Sequence, residues 1–180
     1  MKSFKLVGLV GSAMVACSIG SGAWAAGSNS ATLSVTSSVA QTCTVTTSPL
    51  AFGAYDPIAV SALAGTGSVS VKCTKGSSGI TIDLNAGSHV SGSQRRMLGG
   101  TSGDFLNYDV TQPATTTPWT SCAGSTVWGS TVGGSVYTPS GVTWSAAAAQ
   151  AFTVCGSVPA AQDVSVDGSY TDTVIVTVNF

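Results

Sequence analysis

Short runs of alternating apolar and polar residues recur along the chain, and helical spacing is almost absent. Gly, Ser, Pro and Asp separate these runs at intervals that are typical of a β-sandwich. The alternating or extended runs are Leu33–Thr36, Cys43–Val45, Ser68–Cys73, Ile80–Leu84, Phe105–Val110, Ala151–Cys155 and Tyr170–Phe180. Only Ser145–Gln150 resembles a helix, and it is too short to be stable alone. The pattern predicts one small all-β sandwich.

The run Tyr170–Phe180, with which the sequence stops, is its most strand-like segment. An unpaired apolar edge strand recruits other chains. We count about six strands from Cys43 onwards, whereas an immunoglobulin-like sandwich has seven, and the shortage falls at this end. We therefore expect an incomplete immunoglobulin-like β-sandwich that lacks its C-terminal strand. The parity that we expect to line the open groove consists of Val174, Val176, Val178 and Phe180. The opposite parity of the run is the alternative.

Residues 26–42 are rich in Ser and Thr, and most of their larger apolar side chains share one parity. This segment is either the first strand of the sandwich with a frayed tail or a donor strand for another copy of the protein. About ten extended residues span about 33 Å, which is long enough for the groove of a sandwich. We favour the donor strand, in which Ala31, Leu33 and Val35 would fill the groove.

The first 25 residues are typical of a secretory signal peptide. Lys2 and Lys5 precede the apolar stretch Leu6–Ile19, and Ala23–Ala25 matches an A-x-A cleavage site. The stretch is interrupted by glycines and is too short for a membrane anchor. We expect export, with residues 26–42 as an N-terminal extension and residues 43–180 as the folded domain.

Charged side chains are few after the predicted cleavage site, where seven Asp and no Glu accompany four basic residues. Four basic side chains are too few to form a phosphate-binding surface, and we therefore expect no nucleic-acid partner. The surface is made largely of Ser, Thr, Gly and Ala, which favours contacts with neighbouring protein.

The exported part of the chain has four cysteines, and no spacing among them suggests a zinc site. Of the three possible connectivities we favour Cys43–Cys73 with Cys122–Cys155. Each bridge would close a loop of about thirty residues and contribute about 3–4 kcal/mol. Two disulfides imply an oxidising compartment such as the periplasm.

Candidate catalytic chemistry is sparse. His89 is the single histidine, and a Ser-His-Asp triad around it lacks a Gly-x-Ser-x-Gly turn. No acid pair, metal site or cofactor site stands out, so we expect a protein that is not an enzyme and binds no cofactor or metal. Trp119, Tyr137 and Trp144 lie in predicted loops and are candidates for contact with a ligand or another subunit.

Several short motifs, taken in order, resemble the spore coat protein U domain family, which includes subunits of archaic chaperone–usher pili. The resemblance covers nearly all of the chain after the signal peptide. The motifs are Cys43–Val45, Leu50–Pro57, Val69–Thr74, Arg96–Met97, Leu106–Tyr108, Val127–Gly129, Val158–Ala160 and Gly168–Val174.

The resemblance implies a pilin whose sandwich lacks its last strand. In similar pilins a periplasmic chaperone lends a strand, and at the outer-membrane usher the N-terminal extension of the next subunit replaces it. The implied protein is a structural pilus subunit that passes through the periplasm to the cell surface and serves adhesion or biofilm formation. The alternative is a secreted or spore-coat-type monomeric β-sandwich that binds a partner and completes its own sheet.

Overall fold

The computed structural model describes residues 26–180, so the predicted signal peptide lies outside the described residues. Among these residues, 26–37 belong to one unit and Ser38–Phe180 form a second. Residues 26–37 contain no regular secondary structure and are exposed throughout. The alternating run Leu33–Thr36 therefore forms no strand within its own chain.

The second unit is built from strands, and its one short helical element is the 3-10 turn Ser130–Val132. The strands are β1 (Cys43–Ala51), β2 (Leu63–Cys73), β3 (Thr81–Leu84), β4 (Arg95–Gly99), β5 (Phe105–Thr111), β6 (Gln150–Val158), β7 (Tyr170–Thr171) and β8 (Val176–Asn179). The all-β prediction is confirmed. The count of about six strands is wrong, because β4 has no alternating pattern and the terminal run contains two strands. No helix forms over Ser145–Gln150, where the last residue begins β6.

The strands form two sheets with antiparallel pairing. The larger sheet has the order β1-β2-β6-β5-β4-β7, and the smaller sheet pairs β3 with β8. Sequence alternation places one apolar row of each sheet between them. The fully buried part of this core includes Val69 and Val71 of β2, Ile82 of β3, Val110 of β5 and Phe152 of β6.

The loop aromatics belong to the core. Trp119, Tyr137 and Trp144 are all buried, and their ring centroids lie 5.5, 5.6 and 6.2 Å from that of Phe152. Edge-to-face and tilted pairs of this kind stabilise a core beyond simple burial. The suggestion that these three side chains contact a ligand is therefore wrong.

Both disulfides have the expected pairing. Cys43 at the start of β1 is joined to Cys73 at the end of β2, with Cα atoms 4.1 Å apart. Cys122, in the long segment after β5, is joined to Cys155 of β6, with Cα atoms 5.6 Å apart. The first bridge fixes the outer strand β1 to the sheet, and the second attaches an otherwise irregular segment to the core.

The terminal run Tyr170–Phe180 is not one continuous strand, as the alternation predicted. β7 pairs with β4 in the larger sheet and β8 pairs with β3 in the smaller one, so the chain crosses between the sheets at residues 172–175. The crossing is held by Asn85, whose side-chain oxygen accepts a hydrogen bond from the Ile175 amide at 2.8 Å. Local side-chain bonds of this kind compete with a continuous ladder.

Candidate functional site

Among the strands at the edges of the two sheets, β1 and β8 each have one unpaired edge beside the same opening. β1 is the outermost strand of the larger sheet and pairs only with β2, and β8 pairs only with β3. An open edge presents a row of backbone N–H and C=O groups without partners. Within residues 26–180 no strand lies against either of these two edges.

An apolar groove lies between the two edges. It has a volume of about 380 Å³ and is bounded on one side by residues 47–50 of β1 and on the other by residues 170–174 and Val176, the first residue of β8. Its floor is formed by core side chains from three strands: Val69 of β2, Tyr108 and Val110 of β5, and Val154 of β6. A groove with polar backbone edges and an apolar floor is suited to an extended segment that alternates apolar and polar residues.

The structure places the predicted groove residues unequally. Val174 and Val176 line the groove and pack against the core. Val178 packs against the core without lining the groove, and Phe180 is 57% exposed. Ile175, of the opposite parity, is 60% exposed. The valine parity therefore faces inward along β8.

The predicted donor residues are all accessible. Leu33 and Val35 are 84% and 85% exposed, and Ala31 is exposed as well. Val39, on the same parity, is 83% exposed. Burying a Leu or Val side chain is favourable by about 1.5–3 kcal/mol, so this stripe has a strong tendency to find an apolar partner.

Residues that the periodicity did not single out also line the groove, and Phe52 is the most prominent. Its ring packs on two glycines, because a Cβ atom at Gly65 or Gly156 would come within 2.7 Å of it. Glycine inside a strand marks a close approach of this kind. The two glycines are paired with each other in β2 and β6. Two glycines facing each other across neighbouring strands could therefore have indicated the packing of an aromatic ring, but only once the pairing of those strands was known.

Asp172 holds the chain at the mouth of the groove. Its carboxylate accepts hydrogen bonds from the Tyr108 hydroxyl at 2.6 Å and from the Ser88 amide at 2.8 Å. Burial and the hydrogen bond to Asp172 raise the pKa of Tyr108, so the phenol stays protonated. This contact fixes the position where the chain passes from β7 towards β8.

His89 lies beside the same carboxylate, with its Nδ1 atom 3.3 Å from Asp172 Oδ1. The neighbouring Ser88 hydroxyl donates to the Thr173 carbonyl instead of approaching the imidazole. No hydrogen bond joins His89 to a serine hydroxyl anywhere in residues 26–180, so the described chain does not assemble a Ser-His-Asp arrangement.

Two further classes of site are absent from the described residues. No group of three or more His, Cys, Asp or Glu side chains among them could hold a metal ion. Within the same part of the chain, no helix is long and apolar enough to cross a membrane.

Comparisons with known proteins show a family, a relative and a similar solved structure. Residues 29–177 match the family model of the Spore Coat Protein U domain. The chain is 32% identical over 142 residues to Protein U of Myxococcus xanthus, a match that covers 73% of this chain and 71% of that protein. It also resembles a chain in the crystal structure of the CsuC-CsuE chaperone-tip adhesion subunit pre-assembly complex from archaic chaperone-usher Csu pili of Acinetobacter baumannii.

The structural similarity has a TM-score of 0.52 at 19% identity and covers 79% of this chain. This chain corresponds to 40% of that one. At such low identity the similarity supports the fold alone. It confirms the predicted immunoglobulin-like architecture.

Proposed function

Because the chain belongs to the Spore Coat Protein U domain family, we propose that it is a structural subunit of a surface pilus and polymerises by exchanging strands between copies. The observation that carries the proposal is the apolar groove between the unpaired edges of β1 and β8. A strand laid in this groove would bond to both edges and join the two sheets into one closed sandwich.

The proposed occupant is the exposed N-terminal segment of a neighbouring copy. Its apolar parity would face the groove floor, with Ala31, Leu33 and Val35 as the inserted side chains. The opposite parity consists of Ser and Thr residues, which suit the solvent side of a strand. The segment thus has the pattern that the groove requires.

Such a joint leads to a fibre rather than to a closed dimer. The groove and the donor segment are different surfaces of one chain, so each copy can give a strand to one neighbour and take a strand from another. An interface of this heterologous type continues indefinitely when its rotation does not close. The strand exchange itself is a backbone and apolar interaction and needs no cofactor.

Before assembly the groove would need a temporary partner. We assign that role to a periplasmic chaperone that lends a strand, and the exchange to an outer-membrane usher. The chaperone part is supported by the similar structure, which is that of a chaperone–subunit pre-assembly complex. Export to the periplasm, display on the cell surface and a role in adhesion or biofilm formation belong to the same proposal.

A monomeric surface protein is the second candidate, favoured by the similarity to Protein U over most of that protein's length. A monomer would have to cover the groove with a segment of its own chain. The size of the purified, non-reduced protein separates the two candidates, because a stable monomer with a protected N-terminal segment supports only the second.

Deletion of residues 26–36 tests the proposal. The shortened subunit keeps its groove but cannot donate, so we expect no fibres from it alone and shorter fibres when it is mixed with the full-length subunit. Fibre length by electron microscopy is the measurement, and Ser34→Asp, on the outward parity, is the control that should still assemble. Fibres from the deletion variant at the full-length yield would show that this segment is not the donor.

A further inference from the structure

The two ends of the sandwich differ in their loops. β2 is about 33 Å long and runs from one end of the sandwich to the other. At the first end Leu63 pairs with Val158, and at the second end Cys73 pairs with Cys43. We call the first the acidic end and define it by the loops 52–62, 99–104 and 159–169. The second, the basic end, consists of residues 40–43, the last two residues of β2 (Lys72 and Cys73) and the loop 74–79.

A second cavity opens at the acidic end. It has a volume of about 640 Å³ and is lined by the loops on either side of it. The second cavity is adjacent to the groove, because four residues line both: Leu50, Phe52, Met97 and Tyr170. Val166 in its wall is fully exposed, and Ile58 and Val60, just beyond its lining residue Pro57, are 89% and 96% exposed.

The donor segment is tied to its own domain at a defined point. The Thr74 hydroxyl donates to the Ala40 carbonyl at 3.2 Å, and the Thr42 amide donates back to that hydroxyl at 3.1 Å. The Gln41 side chain donates to the Ser78 carbonyl at 3.1 Å. Residues 40–42 are thus part of the basic end, and the free segment stops at Val39.

This short connection limits where the donor's domain can lie. With no slack after Val39, the basic end of the donor must abut the acceptor at whichever end the inserted strand leaves it. The strand can leave at the acidic end, over the second cavity, or at the basic end. The charges of the two ends distinguish these directions.

The acidic end carries four of the seven described Asp residues: Asp56, Asp104, Asp163 and Asp167. The basic end carries Lys72 and Lys75, both exposed. Arg95 is buried, and the Arg96 guanidinium lies 4.0 Å over the Phe105 ring. A donor that leaves at the basic end would place lysines against lysines, whereas departure at the acidic end pairs opposite charges.

We infer that the acidic end is a docking surface for the body of a second copy of this chain, whose basic end sits on it. The inference rests on the proposed function and extends it from the strand to the domains on either side of the joint. It places the donor strand antiparallel to β8, because β8 runs towards the basic end, where Asn179 pairs with Thr81. Val39 of the donor then covers the second cavity.

Two charge-reversed subunits test this surface. Lys72→Glu with Lys75→Glu makes both ends acidic, and Asp56→Lys with Asp163→Lys cancels the net charge of the acidic end and leaves the basic end unchanged. At low salt each variant alone should assemble about tenfold more slowly than the unmodified subunit. An equimolar mixture should recover part of the rate, because joints in which the second variant donates its strand to the first then pair opposite charges. Near 1 M salt, where the screening length is about 3 Å, the differences should disappear.

A peptide of residues 28–39 separates failure of this inference from failure of the proposed function. The peptide carries no domain, so it should bind the grooves of both variants as it binds the unmodified subunit. If the peptide binds none of the three proteins, strand exchange itself is refuted. Peptide binding together with normal assembly of each variant at low salt, or no recovery on mixing, would overturn the docking surface. If a reversed variant fails to fold, Lys72→Gln with Lys75→Gln and Asp56→Asn with Asp163→Asn test the same attraction by its loss.

Discussion

Arg95 is a buried cation that the composition alone would assign to the surface. Its side chain is 2% exposed, and its guanidinium donates to the backbone carbonyls of Leu84, Asn85 and Trp128. Burial lowers the pKa of Arg95, with Tyr108, Asp172 and other acids acting in the opposite direction. One side chain thereby ties β4 to the end of β3 and to the Trp128 segment.

Replacement of Arg95 by Lys should destabilise the protein although the charge is kept. A single ammonium cannot reproduce the planar fork that reaches three carbonyls, so at least one buried acceptor loses its partner. We expect a loss of about 2–3 kcal/mol in the free energy of unfolding, measured by guanidinium denaturation. The matched control is Arg96→Lys, which should cost less than about 1 kcal/mol. Equal losses in the two variants would contradict the role given to Arg95.

Some residue-level features could be predicted from the sequence and others could not. The disulfide pairing was predictable because four cysteines leave few choices and each favoured bridge closes a short loop. The contacts of Asp172 with Tyr108 and Ser88 join residues 64 and 84 positions apart. Such contacts depend on how the sheets are stacked, which no local pattern records.

At the level of elements, alternation identified the strands that bury one clear face. β2 and β5 follow it, and both contribute to the core. β4 was missed because its sequence, Arg95–Gly99, has two cations and a glycine around a short apolar pair. The division of Tyr170–Phe180 into β7 and β8 was missed because each half looks like a strand, and only the Asp172 and Asn85 contacts separate them.

The inward parity of β8 gives a prediction at this level. Val176→Asp places a carboxylate on the groove wall, where its desolvation opposes insertion of a strand. Affinity for the peptide of residues 28–39 should fall about 100-fold, which corresponds to about 2.8 kcal/mol. Thr177→Asp, one position along on the exposed face, should change the affinity by less than about threefold. Fluorescence anisotropy of a labelled peptide makes the measurement, and equal effects of the two substitutions would place the groove elsewhere.

At the scale of the whole molecule, the chain is a sandwich that is open between two strand edges and carries an exposed apolar segment of complementary pattern. The family resemblance and the alternation predicted these two features. The sequence did not indicate that residues 40–42 are bound to the loop 74–79, or that charge is divided between the ends. Both depend on the antiparallel path of the strands, which brings distant loops together. Together they are the basis on which we infer the direction of the donor strand in the groove.

Hydrogen exchange of the backbone amides tests the central claim most directly. Residues 31–39 should exchange rapidly in the unassembled subunit, because they have no strand partner within their own chain. In assembled protein the alternate amides of this segment and the edge amides of β8 should be protected at least about 100-fold, since they become part of a sheet ladder. Exchange of residues 31–39 that is equally rapid before and after assembly would contradict strand exchange through this segment.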